Sequence, residues 1–465
     1  MSEEKKTTTA EQTGGGMSQL DMLLSLVCAI FFLDTIASTA TMGWASVTFY
    51  IIVGLVFFFP GSLTVAELGS AYPDDGGMAG WIARAFGPKM GARMGYIYWA
   101  CNALWLSSNS TLFVNVFCQV FNLELSSWAN TIFNLAIIWA IVFLLMRPAK
   151  GTTAMFNYGA IVKMIIGIGL VVSAIAFLMK NGAPANPPSL AAMKPTLGSS
   201  IAFIPALVYN FLGFETASAN GTMENPGRDV PKAALKNVIL VCALYIVSVS
   251  AMLCVLPTDN ISIIRGIIDA FRTGLGSSPV VTALIYLVGI LFLSVLFIQG
   301  MLWVAAPCNT AAVAAETGDL PKVFQKRNKH GQPSNVLIIS GFMGTAMTFM
   351  GSLMSGSAEE MFWAIFSCTS FLLLIPYLIN FQAYLKLKKT DKTTPRPYVF
   401  PGPSWLAVFF TRVGQFIVLA TMVLFVWTPG VPLNMTQFLF VVIGVIIVLA
   451  LGEVLLKVAE KQRGK

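Results

Sequence analysis

The run Ser25-Leu26-Val27-Cys28-Ala29-Ile30-Phe31-Phe32-Leu33-Asp34-Thr35-Ile36-Ala37-Ser38-Thr39-Ala40-Thr41 sets a carboxylate in the middle of an apolar stretch. The residues up to Leu33 form a good helical span. Those after Asp34 are small, hydroxylated or β-branched, and such residues are weak helix formers. The pattern predicts an interruption near Asp34, although no Gly or Pro enforces it. A second run, Tyr209-Asn210-Phe211-Leu212-Gly213-Phe214-Glu215-Thr216-Ala217-Ser218, repeats the theme. Glu215 lies mid-run, with Gly213 beside it and Pro205 upstream.

Outward from these two runs the chain keeps the same character. Of its 465 residues, 56% are hydrophobic and 11% charged, and the mean hydropathy is +0.75. Soluble domains carry about 25% charged residues, so a soluble enzyme is excluded. Apolar runs occur at about 20–45, 47–71, 94–122, 127–146, 154–179, 198–220, 233–256, 279–315, 335–355, 360–384, 405–428 and 434–456. Each can supply the roughly 20 residues that a spanning helix needs. The expectation is an all-α polytopic membrane protein of twelve transmembrane helices (segments 1–12), preceded by a disordered tail at 1–16.

The net charge of +8 is read as orienting charge, with no nucleic-acid partner. Twenty-three Lys and Arg fall in the tails and in the even-to-odd connections, against four in the opposite loops. Such a bias places both termini in the cytoplasm and suits a bacterial inner membrane. The seven cysteines all lie in apolar runs and the single His, His330, lies in a charged loop. No disulfide framework, metal site or cofactor is expected. The outer loop 257–278 reads either as a short amphipathic helix lying over the outer face or as a frayed linker.

Ionisable residues inside spanning segments are functional candidates by default. Six occur: Asp34, Glu67, Lys163, Glu215, Arg412 and Glu453. Glu67 and Glu453 are near segment ends and are expected to be solvated at the interface; Arg412 can snorkel. Lys163 lies about halfway through segment 5. It either titrates or stands in for a bound cation, or it snorkels from a helix that starts later. Asp34 and Glu215 occupy matching segments, 1 and 6, of two five-segment halves. Discontinuous helices at such positions free backbone groups at the midplane, where transporters bind substrates and ions.

Several loops strengthen this reading. Pro73-Asp74-Asp75-Gly76-Gly77-Met78 with Arg84-Ala85-Phe86-Gly87 resembles the connection after helix 2 of the amino acid–polyamine–organocation transporters. Glu224-Asn225-Pro226-Gly227-Arg228-Asp229-Val230-Pro231-Lys232-Ala233, after the Glu215 run, resembles that superfamily's extension of helix 6. Asp319-Leu320-Pro321-Lys322-Val323-Phe324 and Lys329-His330-Gly331-Gln332-Pro333-Ser334 resemble its loop after helix 8. The resemblance spans about residues 18–460. It implies a 5+5 inverted-repeat fold with broken helices 1 and 6. The repeats would be 17–180 and 181–400, with helices 11 and 12 appended in 401–465. It also implies alternating access by a secondary transporter of amino acids, amines or polyamines; a homodimer is compatible with it.

The resemblance also carries site positions. In arginine/agmatine-type antiporters an aromatic precedes the helix 6 carboxylate by six residues, which here is Tyr209, beside Asn210. A helix 8 Trp fifteen residues before the loop glycine Gly318 is Trp303. The helix 3 stretch resembles Tyr98-Trp99-Ala100-Cys101, next to Asn102 and Trp105; Trp363 and Ser367 are helix 10 candidates. Core packing is the competing reading for each aromatic. A helix 5 Lys, as Lys163, stands in some members where sodium sits in sodium-coupled relatives.

One departure is chemically informative. Where amino-acid transporters of this superfamily offer bare amides to a substrate carboxylate, this chain has Asp34-Thr35-Ile36. An ionised Asp there repels a carboxylate and attracts an ammonium. The residues and the resemblance together imply a substrate-binding set of Asp34, Thr35, Ile36, Cys101, Asn102, Tyr209, Asn210, Glu215, Trp303 and Trp363, with Glu215 and Lys163 in proton or ion coupling. The leading expectation is an exchanger of cationic amines such as agmatine and putrescine, with cation–π contacts from Tyr209 and Trp303. The alternatives are a proton-coupled amino-acid permease and an exchanger of an amino acid for its decarboxylation product, of the glutamate/aminobutyrate kind. A sensor or an accessory subunit is a further class, and a membrane enzyme is disfavoured because no nucleophile–base or nucleotide motif is present.

Overall fold

The computed structural model describes residues 19–73, 77–148, 151–195, 199–217, 226–354, 357–430 and 432–464. The tail at 1–16, Asp74, Asp75 and Gly76, and residues 218–225 of the motif after Glu215 lie outside them. The described residues form helices and no strand. In chain order these are α1 (Gln19–Ile30), α2 (Ile36–Ala40), α3 (Ala45–Val53), α4 (Phe59–Ala71), α5 (Met78–Phe86) and α6 (Pro88–Phe121). Next come α7 (Ser127–Leu145), α8 (Thr152–Asn181), α9 (Ser199–Ala202), α10 (Ile204–Tyr209), α11 (Pro226–Val255) and α12 (Gly266–Leu275). The chain ends with α13 (Pro279–Glu316), α14 (Ser334–Met354), α15 (Ala358–Thr390), α16 (Ser404–Val426) and α17 (Met435–Arg463).

Among the described residues ten stretches are long and apolar enough to cross a membrane. The two expected segments outside this set have identifiable reasons. The 94–122 run forms α6, whose 34 residues extend about 50 Å at 1.5 Å per residue, but its middle is polar. Ser107, Ser108, Asn109, Ser110 and Thr111 are all buried there. The 198–220 run is broken into α9, α10 and a 3-10 turn, Phe214–Ala217, so no single helix reaches spanning length.

Burial divides the helices into an inner and an outer set. α1 and α2 are enclosed, with every residue from Leu26 to Ala40 buried. α6 packs on α13 and α15. Small residues allow the close approach: a Cβ on Gly289 of α13 would fall 2.4 Å from Val120 of α6, the kind of contact that stands in for a hydrophobic drive inside lipid. The outer set keeps an apolar face. On α8, Ile161, Ile165, Ile168, Val172 and Ile175 are all exposed. Their three- and four-residue spacing is one helical stripe, presented where a bilayer would lie.

The 257–278 loop contains an amphipathic helix, α12, beginning at Gly266 and thus later than the apolar pattern at 261 suggests. It is fastened down: Ser173 donates to the Ala270 carbonyl at 2.8 Å, Gln119 donates to Asp269 at 2.9 Å, and Arg272 donates to the Gln119 carbonyl at 2.9 Å.

Candidate functional site

The last four carbonyls of a helix have no partner within it, and α1 ends inside the bundle. Its four are all satisfied. The Val27 carbonyl accepts from the Phe31 amide at 2.9 Å. The Cys28 carbonyl accepts from Lys163 Nζ at 2.6 Å, the Ala29 carbonyl from Trp303 Nε1 at 3.2 Å, and the Ile30 carbonyl from the Tyr245 hydroxyl at 2.7 Å. The same hydroxyl accepts from the Phe32 amide at 2.7 Å. Three side chains from three other helices thus hold the break open. An ammonium at a helix C-terminus also meets the negative end of its dipole. The non-helical residues are Phe31 and Phe32, followed by a 3-10 turn over Leu33–Thr35. The interruption therefore precedes Asp34, whereas the weak helix formers follow it.

Asp34 is 5% exposed and Lys163 is 0% exposed. They are joined through an amide. Gln299 Nε2 donates to Asp34 Oδ1 at 3.2 Å, and Gln299 Oε1 accepts from Lys163 Nζ at 2.8 Å. Lys163 also lies 5.6 Å from the Phe32 ring centroid. It is embedded rather than snorkelling. Thr35 donates to Asn210, whose amide donates to the Tyr50 hydroxyl at 2.6 Å. Thr35 and Asn210 thus link the two interrupted segments. Ile36 is buried.

In the second interrupted segment Gly213 has φ of 105°, a conformation open to glycine and strained for other residues. It turns the chain so that Glu215, 4% exposed, faces two phenols. Tyr98 donates to Glu215 Oε1 at 3.2 Å, and Tyr377 donates to Oε2. Tyr377 in turn accepts from the Gly213 amide at 2.7 Å.

A cavity of about 410 Å³ reaches this point. Glu215, Trp303 and Tyr98 line it, together with Gly77, Thr153 and Thr310. Of the ten binding candidates it contains Glu215 and Trp303. Asp34, Thr35, Ile36, Tyr209 and Asn210 lie outside it. The Phe32 ring packs against both Trp303 and Tyr209, with centroids 5.7 Å and 5.0 Å away. Cys101 and Asn102 turn back on their own helix, both donating to the Tyr98 carbonyl, at 3.2 and 2.7 Å. Trp363 belongs elsewhere: it lines a second cavity of about 540 Å³ with Phe203, Glu359 and Glu360.

The remaining three intramembrane charges have polar partners of their own. Glu67 is not solvated at an interface. It is 0% exposed and held by Tyr384, Lys388, Arg396 and the Phe400 amide at 2.7, 2.9, 2.8 and 2.9 Å. Glu453 takes both arms of Arg93 at 2.5 and 2.9 Å. Exposed Arg412 donates to Gln415 at 2.8 Å. Sequence reasoning missed Gln299, Tyr98 and Tyr377 as partners. Gln299 was the most accessible to it: a polar residue four before Trp303 shares its helix face.

Comparison with known proteins places this arrangement. Residues 17–451 match the amino acid permease family. A probable agmatine/putrescine antiporter, AguD, of Lactococcus lactis subsp. lactis (strain IL1403) is 28% identical over 448 residues, 95% of this chain and 94% of the relative. An uncharacterised transporter of Legionella pneumophila is 25% identical over 439 residues, 91% and 92% of the two chains. A glutamate/gamma-aminobutyrate antiporter of the same Lactococcus strain is 26% identical over 394 residues, 80% and 74% of the two chains. A multi-pass helical chain with interrupted segments, matched along nearly its whole length, belongs to the amino acid permease family of membrane transporters.

Proposed function

We propose that this permease exchanges small organic cations, of the agmatine and putrescine type, by alternating access. In this reading segments 1–5 and 6–10 are inverted repeats within 17–180 and 181–400, and segments 11 and 12 follow in 401–465. Both termini face the cytoplasm of a bacterial cell. The 410 Å³ cavity is then the inner vestibule, because Gly77, Thr153 and Thr310 in its wall lie close in sequence to the Lys- and Arg-rich connections.

The observation that carries the reading is Asp34, a buried carboxylate beside the first break. A substrate carboxylate brought within about 4 Å of ionised Asp34 meets about 4 kcal/mol of repulsion at an effective dielectric of about 20. That is about a thousandfold in affinity, and an ammonium gains where the carboxylate loses. Two amides at the breaks, those of Phe32 and Gly213, are already bound by Tyr245 and Tyr377. They are not bare donors awaiting an α-carboxylate. Trp303 and Tyr209, both packed on Phe32, offer ring faces to a cation. In this reading Asp34 is the cation anchor and Glu215 with its two phenols is the inner gate. Thr35 and Asn210 tie the two breaks together, and Lys163 occupies a cation position.

The glutamate/gamma-aminobutyrate relative supports a second reading, exchange of an amino acid for its decarboxylation product. Proteoliposomes distinguish the two. With putrescine inside and labelled agmatine outside, uptake is expected to require internal diamine and to be competed by amines. Uptake of glutamate, arginine or neutral amino acids, with amines ignored, would instead select the second reading.

A further inference from the structure

We propose that Gln299 is a positioning residue that couples the charge at Asp34 to the grip of Lys163 on α1; the inference rests on the amine reading of Asp34. A carboxamide has one accepting end and one donating end. Here both ends are committed, Oε1 to Lys163 at 2.8 Å and Nε2 to Asp34 at 3.2 Å. Only one orientation satisfies both neighbours. Turned over, the amide would set its NH2 against an ammonium and its oxygen against a carboxylate. The two charges therefore fix the amide, and a change at either end is felt at the other.

The far end of the link is mechanical. Lys163 Nζ also holds the Cys28 carbonyl at 2.6 Å, in the last turn of α1. That helix carries Ser25, Leu26 and Ala29 into the cavity wall. A cation arriving at Asp34 competes with the Gln299 amide for the carboxylate. Released from Asp34, the amide is free to shift, and the ammonium's division between Gln299 and Cys28 shifts with it. Occupancy of the anchor is thereby converted into a change in how firmly α1 is tied to α8 and α13. All three groups are buried: Gln299 and Lys163 are each 0% exposed, so water does not replace the bond that is lost.

The test is agmatine–putrescine exchange in proteoliposomes by wild type, Gln299→Leu, Lys163→Met and the double variant. Gln299→Leu is expected to lower turnover at least about tenfold with KM within about threefold of wild type, because the anchor survives and the coupling does not. The double variant is expected to be no slower than the slower single variant, since both remove one link. Gln299→Glu keeps an acceptor for Lys163 and removes the donor to Asp34. It is expected to lose turnover similarly, and it serves if the leucine variant fails to assemble. Unchanged turnover, a rise in KM alone, or losses that multiply in the double variant would overturn the coupling. A wild type that exchanges amino acids and ignores amines overturns the amine reading instead. The same proteins scored on that amino acid then decide Gln299 by the same criteria.

Discussion

The two interrupted segments carry one carboxylate each, and they solve the same problem differently. Asp34 is balanced by an ammonium reached through an amide. Glu215 has two phenols and lines the cavity. The backbones differ too. The second break turns on Gly213 with φ of 105°, whereas at the first Phe32 has φ of −87° and ψ of 103°, allowed to any residue. The first break is held open by side chains from elsewhere; the second is built into its own sequence. A charge-balanced carboxylate suits an anchor that must keep its sign. A carboxylate held by hydroxyls suits a gate whose bonds exchange with little electrostatic cost.

The largest expected effect breaks this comparison if it goes the wrong way. Asp34→Asn should lower amine exchange at least about 100-fold, the loss of a buried charged contact of about 3 kcal/mol, whereas Glu215→Gln should cost about tenfold. Equal losses measured in proteoliposomes would mean that both carboxylates anchor substrate. Next comes stability. Lys163→Met leaves the Cys28 carbonyl and Gln299 Oε1 without their donor. Each orphaned buried group costs about 1–3 kcal/mol, so thermal unfolding in detergent should shift down by an amount corresponding to about 2–6 kcal/mol. A variant as stable as wild type would show that the first break does not depend on the lysine.

The gate gives a smaller, graded pair. Tyr377→Phe removes the bonds to Glu215 and to the Gly213 amide and should slow exchange about tenfold. Tyr98→Phe removes one longer bond and should slow it about threefold, each within the roughly 0.5–1.5 kcal/mol net worth of one hydrogen bond. Reversal of that order would move the gate's centre to α6. Smallest is the backbone itself. Gly213→Ala meets a disfavoured φ and should destabilise by about 1–2 kcal/mol, while Phe32→Leu should show no penalty of backbone origin. Differential scanning fluorimetry of the two variants reads the difference.

What the sequence makes legible follows from the same physics. Asp34, Lys163 and Glu215 stand out because a charge in an apolar run is costly and therefore rare. The second break is legible from Gly213 and Pro205, which signal it locally. The first is not, because Phe31 and Phe32 carry no breaking tendency and the pairing that keeps them non-helical comes from Tyr245, more than 200 residues away. Gln299 is 265 residues from Asp34 in sequence, and only packing of α13 against the break makes them neighbours. Trp303 was placed by its spacing and does line the cavity. Trp363, named as a helix 10 candidate without such a spacing, lines the other one, since membership of a helix does not fix the face that a residue presents. Glu67 was misjudged for a related reason. Its two cations, Lys388 and Arg396, arrive from α15 and the loop after it.

The most direct measurement is a structure of the protein with agmatine or putrescine bound. An ammonium or guanidinium within about 3 Å of the Asp34 carboxylate, with the Gln299 amide displaced from Asp34 Oδ1, is the result predicted. An amine seated on Glu215 while Asp34 keeps its bond to Gln299, or no amine density beside a site that takes an amino acid, would contradict it.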